Sequence, residues 1–207
     1  MSTRVSSIHK GTACVSETYA LDRRIGESYG REPAGITIVE RRGLGFVQVM
    51  AARGKAGAVA QALGLGSVRA GHAATMADGA TALPLAPGQW LVIGKDIGVD
   101  EITRCLSHRG QAIGYASDQS HGRTVLRLSG TNVRSVMEKG CRLDLHPRIA
   151  GASFCAQTVI AQIGVLLHQV DDGPTFDLIL YPGLAESLLD WLVDASLEYG
   201  YRLAAAC

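Results

Sequence analysis

The sequence predicts an α+β fold: two pseudo-repeated strand–helix–strands–helix modules with mainly antiparallel sheets. Three observations carry this. The order of apolar patterns in the first half of the chain recurs in the second. The strand-like runs are short and bounded by Gly, Pro and Asp turns. Finally, 47% hydrophobic and 19% charged side chains over 207 residues is the balance of a folded chain long enough to bury a core.

Residues 1–34 carry Ser, Thr, Gly and paired charges with little periodicity. Two readings stand for them, a frayed terminus or an N-terminal arm that orders only against another chain. From Gly35 to residue 207 the chain reads as one domain of two half-repeats, about 35–117 and 118–207. Residues 36–39 (ITIV) are β-favouring, Arg41-Arg42-Gly43 is a turn, and residues 46–50 form a second strand. Residues 54–63 place Ala56, Val59, Ala60 and Leu63 on one helical stripe, with Gly64 positioned to end it. Residues 65–78 read as loop with a short strand, and residues 89–93 (QWLVI) as a buried strand after Pro87-Gly88. Asp100 is expected to cap a helix running through Leu106, with Ile102, Cys105 and Leu106 inward.

In the second half, residues 123–129 alternate, with Thr124, Leu126 and Leu128 inward against Arg123, Val125 and Arg127 outward. A tight Ser129-Gly130 corner leads to a helix with Val133, Val136 and Met137 on one side. Residues 158–170 read as one long strand, lined on one face by Val159, Ala161, Ile163, Val165 and Leu167. Asp171-Asp172-Gly173-Pro174 is a turn, and residues 176–181 return as its hairpin partner. The last helix covers residues 184–197, with Leu184, Leu188, Trp191, Leu192 and Ala195 as its core stripe. FVQVM with its helix thus matches TVLRLSG with its helix, and QWLVIG matches FDLIL, with starts about 78 residues apart from Val47 to Val125. Trp90 and Trp191 fall in matching places and are expected in the core.

Composition excludes some functions. Twenty basic and nineteen acidic side chains leave net +1, so neither nucleic acid nor an anionic membrane surface is an expected partner. The N-terminus has no apolar signal region, and the greasiest stretch, residues 158–170, is interrupted by Gln162, Gly164 and His168. A cytoplasmic protein is expected, with Cys14, Cys105, Cys141, Cys155 and Cys207 as free thiols. Cys105 and Cys155 read as small buried hydrophobes.

Chemical motifs are sparse. Gly43 and Gly45 begin a dinucleotide-type pattern, but its third position is Gln48; Gly64 and Gly66 fail at Arg69. There is no G-K-[ST] phosphate loop, no C-x-x-C pair, and no G-x-S-x-G elbow. Cys141 and His146 lie near each other without companions for a metal site. Titratable groups cluster at Asp144-Leu145-His146-Pro147. As chemistry, Asp144 would orient His146 as a general base. As structure, Asp144 caps a turn, Leu145 plugs the core and Pro147 holds His146 out of helical geometry. The structural reading is preferred. His168 reads as a satisfied sheet residue, and Gln119-Ser120-His121 as a polar turn. No catalytic, cofactor-binding or metal residue is assigned.

Residues 34–54 (AGITIVERRGLGFVQVMAARG), 84–94 (PLAPGQWLVIG), 117–147 (SDQSHGRTVLRLSGTNVRSVMEKGCRLDLHP) and 176–196 (FDLILYPGLAESLLDWLVDAS) resemble the gamma subunit of bacterial heterotetrameric sarcosine oxidase. The resemblance covers roughly residues 35–201. Its most specific part runs from Ser129-Gly130 through Lys139-Gly140-Cys141 to Asp144-Leu145-His146-Pro147; Arg148-Ile149-Ala150 departs from the aromatic turn usual after it. The resemblance implies a fold similar to the folate-binding aminomethyltransferase module and a non-catalytic gamma subunit assisting assembly and stability. The complex it implies demethylates sarcosine to glycine, with alpha, beta and delta subunits as partners. FAD, covalent FMN, NAD and tetrahydrofolate are then expected on those partners and no cofactor on this chain. Alternatives are a gamma-like subunit of a related N-methyl amino acid dehydrogenase and a stand-alone folate- or pterin-binding protein. For the latter, Asp118 or Asp144 would face the pteridine. A small hydrolase or transferase using His146 is a further alternative.

Overall fold

A computed structural model describes residues 19–30, 32–66, 70–95, 97–108 and 111–205. Cys14, Cys207 and most of the expected arm, residues 1–18 and 31, lie outside the described residues. The strands and helices in chain order are β1 (Ser28–Tyr29), β2 (Ile36–Arg41), β3 (Gly45–Ala51), α1 (Ala56–Ala62), β4 (Ala74–Thr75), β5 (Thr81–Ala86), β6 (Gln89–Gly94) and α2 (Val99–Cys105). There follow β7 (Ser107–His108), β8 (Gln111–Ala112), β9 (Gly114–Asp118), β10 (Thr124–Ser129) and α3 (Val133–Glu138). The chain closes with β11 (Cys155–Ile160), β12 (Ile163–Gln169), β13 (Phe176–Leu180), α4 (Ala185–Ser196) and β14 (Tyr201–Ala204).

Among the described residues these strands make two main sheets. One runs β1-β14-β2-β10-β13-β12-β11 and the other β4-β5-β6-β3-β9. Pairing is antiparallel except where β14 runs parallel to β2. The mixed, mainly antiparallel α+β class therefore stands. Each sheet buries one face under its helices. Leu126, Leu128, Leu178 and Leu167 meet Val133, Val136, Met137, Leu188 and Leu192 of α3 and α4. On the other sheet, Val47, Val49 and Val92 meet Val59 of α1 and Ile102 of α2. The remaining faces stack on each other: Phe46, Leu83, Leu91 and Ile93 against Val125, Cys155, Leu166 and Ile179. The order is thus helices, sheet, sheet, helices.

Leading strands are exchanged between the sheets. β2 precedes β3 in the chain but pairs with β10, whereas β9 precedes β10 but pairs with β3. Residues 19–30, within the expected arm, lie on the larger sheet. Leu21 is in its core, and the Leu21 N–H donates to the buried Glu40 carboxylate at 2.9 Å. Tyr201 donates its hydroxyl to Glu27 at 2.5 Å.

Several expectations change. Val125, expected outward, is buried, because the face opposite α3 meets the second sheet rather than water. The long strand expected over 158–170 is a hairpin instead. Ala161 and Gln162 take φ of 49° and 71°, and the chain reverses between β11 and β12. Val159 is consequently exposed, while Val165 and Leu167 are core. Asp100 is not a cap: Gly98 holds that position and Asp100 sits in the first turn of α2, where its charge suits the helix dipole. Cys105 is exposed, whereas Cys155 is buried as expected. The patterns missed β5, whose Pro84 masks a strand, and the short β9 and β14. Leu184 is exposed and Trp191 is half-buried, lying against the helix-side core rather than within it.

Two glycines are fixed by close approach. Gly130 has φ of 126° and a Cβ there would lie 2.4 Å from the Gly35 carbonyl oxygen, where β10 hands over to α3 beside β2. A Cβ on Gly140, which ends α3, would lie 2.5 Å from the Trp191 ring of α4. Gly140→Ala is expected to cost about 1–3 kcal/mol in urea unfolding through overpacking. Trp191→Leu in the same chain should recover part of that loss, giving a non-additive double-mutant cycle.

Candidate functional site

The polar turn at residues 118–122 and the Asp144–Pro147 turn are both built from their own hydrogen bonds. Asp118 ends β9, and its Oδ1 accepts the Ser120 N–H at 2.8 Å. The Ser120 side-chain and backbone hydrogen bonds hold the Asp118 carboxyl below its usual range, against a smaller opposing effect of burial. Ser120 Oγ in turn accepts the Phe46 N–H at 3.1 Å, and Gln119 N–H donates to the Phe46 carbonyl at 2.8 Å. The turn therefore stitches β9 to β3.

Asp144 Oδ1 accepts the backbone N–H of His146 at 2.9 Å, not its imidazole. The imidazole Nδ1 accepts the Arg148 N–H at 3.2 Å, so that nitrogen is occupied as a turn acceptor. Leu145 is 1% exposed and belongs to the helix-side core. Arg134 of α3 donates to the Leu145 carbonyl and stacks over Phe176 at 5.2 Å. Burial lowers the Arg134 pKa, with Glu138 opposing. The arrangement caps, plugs and pins a turn; it does not orient a base.

The densest charge network lies elsewhere, on the inner face of the larger sheet. Asp177 of β13 is 4% exposed and accepts two bonds from Arg127 of β10, at 2.7 and 2.8 Å, and one from Arg41 of β2 at 3.0 Å. The Asp177 bonds raise the Arg127 pKa despite its partial burial. His168 of β12 is Asp177's register partner on the other side. Burial lowers the His168 pKa; nearby Asp177 opposes this, and Arg127 and Arg41 reinforce it. These groups edge a cavity of about 490 Å³ whose opposite wall includes Thr81, Ile93 and Lys95. The sequence carried a signal for this cluster: one aspartate inside the otherwise apolar FDLIL. A second cavity, of about 580 Å³, lies where Tyr19, Glu40, Arg42, Phe46, Ser120 and Arg123 converge. Glu40 there accepts from Thr124 Oγ1 at 2.9 Å as well as from Leu21.

Cys155 is buried and its thiol is pushed up to about 12 by burial, which keeps it protonated and unreactive. Cys141 is half-buried and free. Among the described residues no group of three or more His, Cys, Asp or Glu is placed to hold a metal ion. Among them, too, no helix is long and apolar enough to cross a membrane.

This α+β sandwich, with its charged network holding strands together, has the fold of a chain found in a heterotetrameric oxidase. The family described as sarcosine oxidase, gamma subunit, matches residues 49–198. Sarcosine oxidase subunit gamma from an Arthrobacter species is 34% identical over 156 residues, 74% of this chain and 76% of that protein. The subunit of that name from Corynebacterium sp. (strain U-96) is 31% identical over 176 residues, 81% of this chain and 84% of that one. A solved structure of heterotetrameric sarcosine oxidase from Corynebacterium sp. U-96, in complex with pyrrole 2-carboxylate, contains a chain that superposes with a TM-score of 0.72. It has 29% identity and covers 83% of this chain and 88% of that one. Glycine cleavage system aminomethyltransferase T from Bartonella henselae shares the fold at a TM-score of 0.59 and 11% identity, covering 83% of this chain and 48% of that one. The chain belongs to the sarcosine oxidase gamma subunit family.

Removing the Asp177 carboxylate leaves Arg41 and Arg127 facing each other without a counter-charge. Asp177→Ala should destabilise the fold by about 3 kcal/mol in denaturant titration. His168 gives a pH dependence of known sign. Its folded pKa lies below the ordinary 6.5, so its stabilising contribution is complete above pH 6.5 and is lost as pH falls from there through the folded pKa. His168→Gln should flatten that limb of a melting-temperature-against-pH curve.

Proposed function

We propose that this chain is the non-catalytic gamma subunit of a heterotetrameric, flavin-dependent sarcosine oxidase and assists assembly and stability of the complex. The carrying observation is the match to a chain of heterotetrameric sarcosine oxidase over 83% of this chain and 88% of that one. In this reading the complex converts sarcosine to glycine in the cytoplasm, and alpha, beta and delta subunits are the partners. FAD, FMN, NAD and tetrahydrofolate sit on those partners. The chain's own titratable clusters agree with a supporting role, because Asp144, Asp118 and Asp177 are each committed to hydrogen bonds within the fold.

The same reading takes the two sheets as copies of one module related to the aminomethyltransferase fold. Its support is the shared strand order: β3-β6-β5-β4 in one sheet and β10-β13-β12-β11 in the other. Phe46 and Val125 both face the sheet–sheet seam, whereas Val47 faces its helices, so the two copies align one residue off the Val47–Val125 match.

Affinity purification of the tagged chain from its native host tests the proposal. The expected product is a yellow complex with three further subunits that turns over sarcosine. A colourless single chain is the contrary result, and turnover of a different N-methyl amino acid alone would reassign the substrate.

A further inference from the structure

We propose that the groove between the two sheets beside Arg123 and Tyr181 receives an extended segment of a partner subunit that presents a carboxylate to Arg123. The inference rests on the reading of this chain as a subunit and adds where and by what chemistry a partner docks.

The groove encloses about 440 Å³. Its floor is one end of the inter-sheet seam, where it reaches buried Leu91 from one sheet with Leu166 and Ile179 from the other. Arg123 stands on its wall with the guanidinium stacked over the Tyr181 ring at 4.3 Å. Other half-buried arginines are engaged by hydrogen-bond acceptors: Arg24 by Glu27 and Asp190, Arg41 and Arg127 by Asp177, Arg42 by Asp22, and Arg134 by the Leu145 carbonyl. Arg123 bonds to no described residue, and its Nε is buried without an acceptor. A guanidinium stays charged at any physiological pH, and a desolvated donor of this kind gains most from a carboxylate taken in a forked, charge-assisted geometry. Tyr181 holds the group in place beforehand, which lowers the ordering cost of binding.

The surroundings fit a peptide segment better than a small anion. Gln48 and Gln89 line the groove, and neither side chain hydrogen-bonds a described residue; each amide offers both a donor and an acceptor to passing backbone. The open face continues along β3, because Gln48 and Met50 share one side of the strand. Met50 is 44% exposed, and its register partner Tyr115 on the edge strand β9 is 66% exposed. Tyr181, itself 55% exposed, closes the other end of this strip. An aromatic and methionine strip beside an unpaired arginine has the make-up of a protein interface.

The test uses the complex isolated through a tag on this chain. Gln89 is replaced by benzoylphenylalanine, the complex is irradiated, and cross-linked peptides are sequenced by mass spectrometry. The expected result is one partner peptide that contains Asp or Glu. In parallel, Arg123→Met keeps the stem over Tyr181 without the charge and should release this chain from the complex at least tenfold faster in a salt wash. Arg123→Lys should recover part of the loss. An assembled complex with no cross-link at Gln89, a cross-linked peptide without a carboxylate, or a co-purifying small acid in the groove would overturn the proposal. So would Arg123→Met release at the wild-type rate. A wild-type chain that isolates alone overturns the subunit reading itself, and this inference with it.

Discussion

The fold depends on a thin apolar seam. Two sheets already covered by helices on their outer faces meet through Phe46, Leu83, Leu91 and Ile93 on one side and Val125, Cys155, Leu166 and Ile179 on the other. Sheet stacking of this kind removes water from both faces at once, and the hydrophobic effect scales with that area. Charged residues are kept to its margins. The Arg41–Asp177–Arg127 network closes one end, and Arg123 with Tyr181 stands at the other. The chain route reinforces the seam, because β2 and β9 each cross to the sheet that the following strand does not join. The larger sheet cannot complete its pairing without β2 from the first half, which ties the two halves together.

That construction accounts for the kind of function the chain can have. Its buried aspartate is engaged by two arginines, and its buried Glu40 is bonded to Thr124 and to the backbone of Leu21. Its buried thiol stays protonated. Groups so committed hold strands and turns in register and are poorly placed to move protons for a substrate. Surface features remain for partners: a half-open inter-sheet groove, an edge strand with an exposed tyrosine, and a single unneutralised arginine in that groove. The chain belongs to the sarcosine oxidase gamma subunit family, and a chain of a heterotetrameric sarcosine oxidase shares its fold.

Much of this was legible in the sequence, and the reasons differ by element. Helical stripes were read correctly where tertiary burial is one-sided, as for Val133, Val136 and Met137, all 0% exposed. The polar-face assignment of Val125 failed because period-two alternation shows that a strand has two faces and not what covers each. The hairpin at Ala161-Gln162 escaped because its residues lack the Gly or Asn that usually mark left-handed turns. β5 was hidden by Pro84, and β9 and β14 by brevity. The Asp144–Pro147 turn was read as structural, and its hydrogen bonds agree. The Asp177 network was missed since its three charges are distant in sequence and converge only through strand pairing. Arg123 looked like a solvated outward residue for the same reason as Val125.

If the chain is the assembly subunit proposed above, the most direct measurement is sarcosine turnover per bound flavin in complexes isolated from hosts with and without this chain. Loss of the chain is then expected to lower the yield of assembled complex, while whatever assembles turns over at the normal rate per flavin. A complex that forms in full, keeps its flavins and yet fails to turn over until this chain is added back would contradict that role.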